Sequence, residues 1–179
     1  MSTELDVLRL VSERLSGKQL EFMLTGSFAL AYYATPRMTR DLDIVVALAE
    51  QDVETLVALF AADFYLDADI ARAAVRTKRL FNLMHLESGI KVDLIVRKTG
   101  PYRELEFSRR TSVDLAGVRT WIVSREDLIL SKLVWARDAE SELQVRDVRS
   151  LLDGTEDTGY LREWAPALGV SAALEAAFR

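Results

Sequence analysis

Residues 24–46, with the sequence LTGSFALAYYATPRMTRDLDIVV, decide the fold of this chain. The final DLDIVV has the apolar character of a buried strand, yet it contains Asp41 and Asp43. Aspartate is disfavoured in strands, and strand side chains two positions apart lie on the same face of a sheet. We therefore expect both carboxylates to share one face, while the apolar residues that alternate with them point into the core.

A second predicted strand, GIKVDLIVR at residues 89–97, repeats this alternation and places Asp93 beside Lys91 on its more polar face. If the two strands are neighbours, three carboxylates converge on one exposed face of the sheet. Clustered carboxylates raise each other's pKa unless a cation neutralises them, and Mg²⁺ prefers oxygen ligands of this kind. The pattern predicts a divalent metal site, although Asp93 taken alone also fits a solvated edge position or a salt bridge.

Gly26 and Ser27 lie between a predicted strand and a predicted helix. Glycine lets the backbone approach a phosphate closely, and a helix N-terminus offers free N–H groups and a favourable dipole. The Ser27 hydroxyl can add a further contact. The pair therefore predicts a phosphate-binding turn, and the alternative is a simple turn with a helix cap.

Composition excludes several other chemistries. The 179 residues contain no cysteine and one histidine, His85, which leaves no material for a thiol nucleophile, a cysteine zinc site or a multi-histidine metal site. A Ser-His-Asp system is disfavoured for the same reason. The net charge of -5 argues against binding nucleic acid over the whole surface, because such binding relies on many Lys and Arg contacts to phosphate.

The sequence also lacks the signals of a membrane or secreted protein. The N-terminal MSTELDVLRLVSERL contains charged residues throughout, unlike a signal peptide, and no apolar run approaches the roughly 20 residues of a membrane helix. We expect a cytoplasmic protein with no membrane partner.

Apolar periodicity divides the chain into a mixed α/β part and a helical part. We predict an α+β fold with a core over residues 1–123 and a small helical segment, residues 124–179, packed on it. The predicted elements are helices at 3–15, 27–34, 50–62, 68–78 (or an exposed loop there) and 101–110, strands at 20–24 and 41–47, a hairpin over 79–97 turning at Ser88-Gly89, strands over 112–124 turning at Gly117, and helices at 125–138, 141–152, 158–167 and 171–178.

The combined motif resembles that of the DNA polymerase β-like nucleotidyltransferase superfamily. It consists of Gly26-Ser27, thirteen intervening residues, the Asp41-Leu42-Asp43 triplet and the later Asp93, all within residues 20–97. The resemblance implies a nucleotidyltransferase-like mixed β-sheet with helices on one face and the active site on the other.

Two segments are similar to one branch of that superfamily, the small bacterial abortive-infection and toxin–antitoxin nucleotidyltransferases. They are RMTRDLDIVV, residues 37–46, and LILSKLVWARDAESELQVRDVRSLL, residues 128–152. In this branch a helical lysine and a later aspartate follow the core, which here correspond to Lys132 and Asp147. Alternatively, Lys132 is a solvated helix residue and Asp147 belongs to an ordinary surface pair.

The resemblance implies transfer of a nucleoside monophosphate from a nucleoside triphosphate to a hydroxyl acceptor. It also implies Mg²⁺ as cofactor, with Mn²⁺ as an alternative, held by Asp41, Asp43 and Asp93, and a role for Asp93 in deprotonating the acceptor. The implied nucleotide-binding residues are Gly26, Ser27, Thr39, Arg40, Lys132 and Asp147.

The acceptor stays open between tRNA or another RNA, a protein side chain and a small molecule. The toxin-like branch favours RNA or protein and implies an antitoxin protein as a partner. A different class of function is also consistent with the residues: a catalytically silent binding protein that keeps the fold.

Overall fold

The computed structural model describes residues 3–36, 39 and 41–179. The helices are α1 (Glu4–Gly17), α2 (Gly26–Tyr33), α3 (Val53–Phe60), α4 (Ala68–Thr77), α5 (Pro101–Ser108), α6 (Arg125–Ala139), α7 (Glu142–Leu151), α8 (Thr158–Leu168) and α9 (Ser171–Ala177), with a 3-10 turn at Glu50–Asp52. The strands are β1 (Phe22–Thr25), β2 (Asp41–Val46), β3 (Phe64–Tyr65), β4 (Leu80–His85), β5 (Lys91–Val96), β6 (Thr111–Leu115) and β7 (Val118–Ile122).

The strands form one mixed sheet in the order β3-β4-β5-β2-β1-β7-β6. β2 lies at its centre, antiparallel to β1 and parallel to β5. The register aligns Asp43 with Thr25 on one side and with Asp93 on the other. The end of β1 and the acidic residues of β2 and β5 therefore meet at one place on the sheet.

Alternate residues of the central strands form the core, as the period-two pattern predicts. On β2 the fully buried residues are Leu42, Ile44 and Val46, and β5 contributes Val92, Leu94 and Val96 to the same face. Helix α1 packs against β7, where the hydroxyls of Ser12 and Thr120 lie 3.0 Å apart in a buried hydrogen bond. The remaining residues of β2 and β5 face the opposite side, which carries the acidic side chains.

The C-terminal helices share the core of the sheet. Leu128, Leu133, Val148 and Leu161 are all buried and belong to the same hydrophobic cluster as the residues of β2. Helix α6 contacts α2, α7 and α8, so it connects the start of the chain to its end. Within the described residues, no helix is long and apolar enough to cross a membrane.

The predicted α+β class is confirmed, and so are most elements. The hairpin turns at Ser88-Gly89, and the segment predicted as a helix or a loop at 68–78 forms helix α4, Ala68–Thr77. The predicted helix over 50–62 begins with the 3-10 turn and ends at Phe60. Strand β3 was not predicted, because its two residues, Phe64 and Tyr65, are too few to give a periodic pattern. The boundary between residues 123 and 124 stays a prediction.

Candidate active site

The junction of β1 and α2 is packed directly against the carboxylate of Asp43. Gly26, the first residue of α2, has φ of +64°, and a Cβ atom at this position would lie 2.0 Å from Asp43 Oδ2. No side chain larger than hydrogen fits there without movement. The N-cap of α2 is Thr25, whose side chain makes no capping bond, and Ser27 is buried within the first turn. Ser27 is therefore not the cap of α2, and phosphate binding by Gly26 and Ser27 stays a prediction, as does the alternative of a structural turn.

Asp43 is the buried member of the acidic group, with 9% of its surface exposed. Burial raises the pKa of Asp43 to about 6, and the negative charges of Asp93 and Asp41 contribute to the same shift. The positive charges of Lys132 and Lys91 act in the opposite direction but do not cancel it. At neutral pH the negative charge of Asp43 is therefore only partly offset by nearby positive charges. A bound cation would stabilise that charge.

Asp41 and Asp93 share a cation from the protein itself. Lys91 Nζ lies 3.4 Å from Asp41 Oδ2 and 3.1 Å from Asp93 Oδ2. The second oxygen of Asp93 accepts a hydrogen bond from the amide of Asn82, its neighbour on β4. Sequence reasoning placed Lys91 on this face without a role and missed Asn82. The alternating pattern of β4 is enough to predict which face of the sheet carries Asn82. That Asn82 lies next to Asp93 follows only from the pairing of β4 with β5.

The donor set fits a hard divalent cation chemically, because Asp41, Asp43 and Asp93 supply carboxylate oxygens on one sheet face. Among the described residues, no group of three or more His, Cys, Asp or Glu side chains is already arranged around a common metal position. Lys91 lies between two of the carboxylates. Convergence of the three side chains on one ion stays a prediction.

Lys132 and Asp147 form a buried ion pair between α6 and α7. The two side chains are 2% and 4% exposed, and Lys132 Nζ lies 2.7 Å from Asp147 Oδ2. The same ammonium group donates to Gln144 Oε1 at 3.0 Å. The alternative that both residues are solvated surface groups is therefore wrong. Lys132 also lowers the pKa of Asp43 through its charge, which couples the ion pair to the acidic group.

Thr39 and Arg40 are the two nucleotide-binding residues predicted just before β2, and the structure describes only Thr39. Thr39 donates its hydroxyl to the backbone carbonyl of Asp41 at 3.4 Å, so it adjoins the start of the acidic strand. Arg40 lies outside the described residues. Nucleotide contacts for both residues stay predictions.

Comparison with protein families assigns the chain. The family model described as "Nucleotidyl transferase AbiEii toxin, Type IV TA system" matches residues 9–149, which is 141 of the 179 residues. The chain belongs to the AbiEii nucleotidyltransferase toxin family. The matched range contains every predicted site residue, and the assignment supports nucleotidyl transfer and a toxin–antitoxin role for this AbiEii protein. No match was found among proteins of curated function.

Solved structures share the AbiEii chain's fold at low sequence identity. The antibiotic-resistance factor ANT(2'')-Ia matches with a TM-score of 0.62 and 14% identity, over 97% of this chain and 95% of its own. An antigenic nucleotidyltransferase-like protein from Paracoccidioides brasiliensis gives 0.55 and 18%, over 97% and 93%. The lincosamide antibiotic adenylyltransferase LnuA gives 0.55 and 12%, over 83% and 96%. At these identities the likeness establishes the nucleotidyltransferase fold.

Proposed function

We propose that this protein is a metal-dependent nucleotidyltransferase that moves a nucleoside monophosphate from a nucleoside triphosphate to a hydroxyl acceptor. One observation carries the proposal. The glycine that opens α2 touches the carboxylate of Asp43, and Asp43 is in register with Asp93 on the next strand. An anion-binding helix start and two acidic residues are thus held within one small region, which suits a triphosphate and its counterion.

Each residue then has a defined role. The N–H groups at the start of α2 and the Ser27 hydroxyl bind the β- and γ-phosphates, because a helix N-terminus favours negative charge. Asp41, Asp43 and Asp93 are the residues that hold the metal. A divalent cation there would supply Lewis-acid stabilisation of the α-phosphate and of the departing pyrophosphate. Lys91 contacts both Asp41 and Asp93, so a bound cation would compete with the Lys91 ammonium group for these two carboxylates.

The transfer follows in-line substitution at phosphorus. The acceptor hydroxyl oxygen forms a bond to the α-phosphorus, and the bond from that phosphorus to the oxygen bridging to the β-phosphate breaks. Pyrophosphate leaves with the electron pair of that bond. The proton of the acceptor hydroxyl passes to the carboxylate of Asp93, which is partly buried beside the more exposed Asp41. Lys132, held by Asp147, offers its positive charge to the phosphates.

We infer that the acceptor is an RNA or a protein, because the chain belongs to a toxin family. The antibiotic adenylyltransferases among the structural neighbours keep a small-molecule acceptor as the second candidate. The family also supports an antitoxin protein as the regulatory partner. A catalytically silent protein that binds nucleotide without turnover is the rival of a different class.

Label transfer tests the proposal directly. The protein is incubated with Mg²⁺, each α-³²P-labelled nucleoside triphosphate and cell extract, and RNA, protein and small-molecule fractions are counted separately. We expect one fraction to become labelled, and the label to fall about a hundredfold to a thousandfold in Asp43→Asn and Asp93→Asn, because electrostatic stabilisation of the transition state is lost. Asp114→Asn, at an exposed strand position on β6, is the matched control and keeps activity.

The rival function gives a different result. If the protein binds triphosphates in calorimetry but labels nothing, it is a silent binding protein and the enzyme assignment is wrong. Binding that is equally strong in Asp43→Asn would show that the nucleotide site lies elsewhere.

A further inference from the structure

A cleft of about 150 Å³ adjoins the acidic group and is not used by the proposed transfer. Two of its lining residues, Gly26 and Lys132, also belong to the candidate active site. The cleft is smaller than the roughly 300–1,000 Å³ of a pocket for a whole small molecule, so it suits one part of a ligand that is bound mainly next door.

The floor of the cleft is an apolar continuation of the acidic sheet face. Val45 and Ile95 line it, and each follows an acidic residue by two positions on its own strand, Asp43 on β2 and Asp93 on β5. The two apolar residues are paired in register, like the two aspartates. A ligand anchored at the carboxylates therefore meets an apolar surface when it extends along these strands.

Trp135 contributes an aromatic wall. It lies on α6, one turn beyond Lys132, lines the cleft and keeps 48% of its surface exposed. Half-exposed tryptophan beside an apolar floor is a platform for a planar ring, and stacking of a nucleobase on an aromatic side chain contributes about 1–3 kcal/mol. Arg97 and Lys98 also line the cleft and add positive charge, which favours an anionic ligand such as a nucleotide.

Glu106 gives the cleft a fixed hydrogen-bond acceptor. The side chain is buried, with Oε2 accepting from Arg103 Nη1 at 2.8 Å and Oε1 accepting from Ser131 Oγ at 2.8 Å. A carboxylate can accept about four hydrogen bonds, so capacity remains for a ligand. Against the edge of a base, a carboxylate pairs with an exocyclic amino group, as it does with the amino group of cytosine.

We propose that this cleft binds the base of the donor nucleotide, with Trp135 stacking on the ring and Glu106 selecting bases that carry an exocyclic amino group. The inference rests on the proposed function, because Gly26 connects the phosphate site to the cleft. Gly26 and Trp135 line the same cleft, so a molecule whose phosphates bind at the Gly26 turn can place its base at Trp135. The donor nucleotide is therefore favoured over the acceptor as the occupant of the cleft.

The stacking role is tested by calorimetry in Mg²⁺ with ATP, CTP and inorganic tripolyphosphate as ligands. We expect Trp135→Leu to weaken binding of the tighter nucleotide about tenfold or more, and to leave tripolyphosphate binding unchanged, because tripolyphosphate has no base. Trp121→Leu is the matched control, since Trp121 is 39% exposed on β7 and does not line the cleft. Unchanged nucleotide affinity in Trp135→Leu overturns the base site.

The selectivity is tested with analogues that lack only the amino group: purine riboside triphosphate against ATP, and zebularine triphosphate against CTP. For the tighter of the two natural nucleotides, removal of the amino group should weaken binding to the unaltered protein about tenfold. Glu106→Gln should reduce that difference. Because the analogue comparison uses the unaltered protein, it holds even if Glu106→Gln does not fold.

The outcomes separate the two proposals. If neither nucleotides nor tripolyphosphate bind, the proposed function itself is wrong. If nucleotides bind and Trp135→Leu does not change their affinity, the base site is wrong and the proposed function stands. Loss of affinity in Trp135→Leu without any analogue effect removes Glu106 from the proposal.

Discussion

At the scale of the residue, Asp43 is where function and stability conflict. Burial and two neighbouring carboxylates disfavour the charge of Asp43, and two nearby lysines offset only part of that effect. A protein that only had to fold would place an apolar or amide side chain here. The raised pKa of Asp43 is therefore itself an indication that this residue binds a ligand.

The pH dependence of stability should reveal this conflict. The pKa of Asp43 is about 6 in the folded protein and near 3.8 when unfolded. Between those values the folded state holds a proton that the unfolded state releases, so the contribution of Asp43 to stability falls as pH rises from about 4 to about 6. At 1.36 kcal/mol for each pKa unit, the loss at pH 7 is about 3 kcal/mol.

Asp43→Asn removes the charge and keeps the shape. We expect the variant to be inactive and, at pH 7 in EDTA, up to about 3 kcal/mol more stable than the unaltered protein, with the difference disappearing near pH 4. Urea unfolding of both proteins across this pH range measures it. A difference that does not vary with pH would show that Asp43 is not titrating in this window.

The acidic residues could be predicted from sequence because their signal is local. Asp41 and Asp43 interrupt one apolar strand, and Asp93 interrupts another with the same spacing. Asn82 and Glu106 carry no such signal. Their positions in the site follow from the order of strands and the packing of α5 on α6, which are long-range properties.

At the scale of elements, the junction between β1 and α2 determines how close the phosphate site and the carboxylates come. Gly26→Ala should disturb it in two ways, through the left-handed backbone and through collision with Asp43. Gly89→Ala is the matched control, because Gly89 has φ of +67° and no atom within 4 Å of the added Cβ. A left-handed alanine alone costs about 1 kcal/mol.

We expect Gly89→Ala to lower the free energy of unfolding by about 1 kcal/mol and Gly26→Ala by at least twice that, because overpacking adds about 1–3 kcal/mol. Gly26→Ala should also lose triphosphate binding, while Gly89→Ala keeps it. Denaturant unfolding and calorimetry provide the two measurements. Equal losses of stability in the two variants would contradict the close packing of Asp43 against the turn.

Element prediction succeeded where a pattern was local and failed where it was not. The hairpin of β4 and β5 has both an alternating pattern and a glycine turn, and it was predicted correctly. The sequence contains nothing that pairs β1 with β7, which are parallel neighbours although Leu24 and Ile122 are far apart in the chain. That pairing depends on burial of the whole sheet.

At the scale of the whole molecule, polar and aromatic contacts cross the predicted boundary between residues 123 and 124. Asp127, fully buried on α6, accepts hydrogen bonds from Arg109 Nε at 3.1 Å and from the hydroxyl of Tyr160 at 2.7 Å. The rings of Tyr102 and Trp164 lie 5.5 Å apart between α5 and α8. Removing the C-terminal helices would take away the partners of Arg109 and Tyr102 and expose the adjoining apolar core.

We therefore expect the two predicted parts to unfold as one cooperative unit. Two variants that each retain a single tryptophan test this: Trp135→Phe with Trp164→Phe leaves Trp121 to report on the sheet, and Trp121→Phe with Trp135→Phe leaves Trp164 to report on the C-terminal helices. If the core is shared, fluorescence and far-ultraviolet circular dichroism of each variant give one urea midpoint within that variant. If instead Trp164 fluorescence changes at lower urea than the circular dichroism of the same variant, the helices form a separate unit that can open while the sheet stays folded. The cleft at Trp135 would then be assembled only when the helices close, because its floor comes from the sheet and its wall from α6.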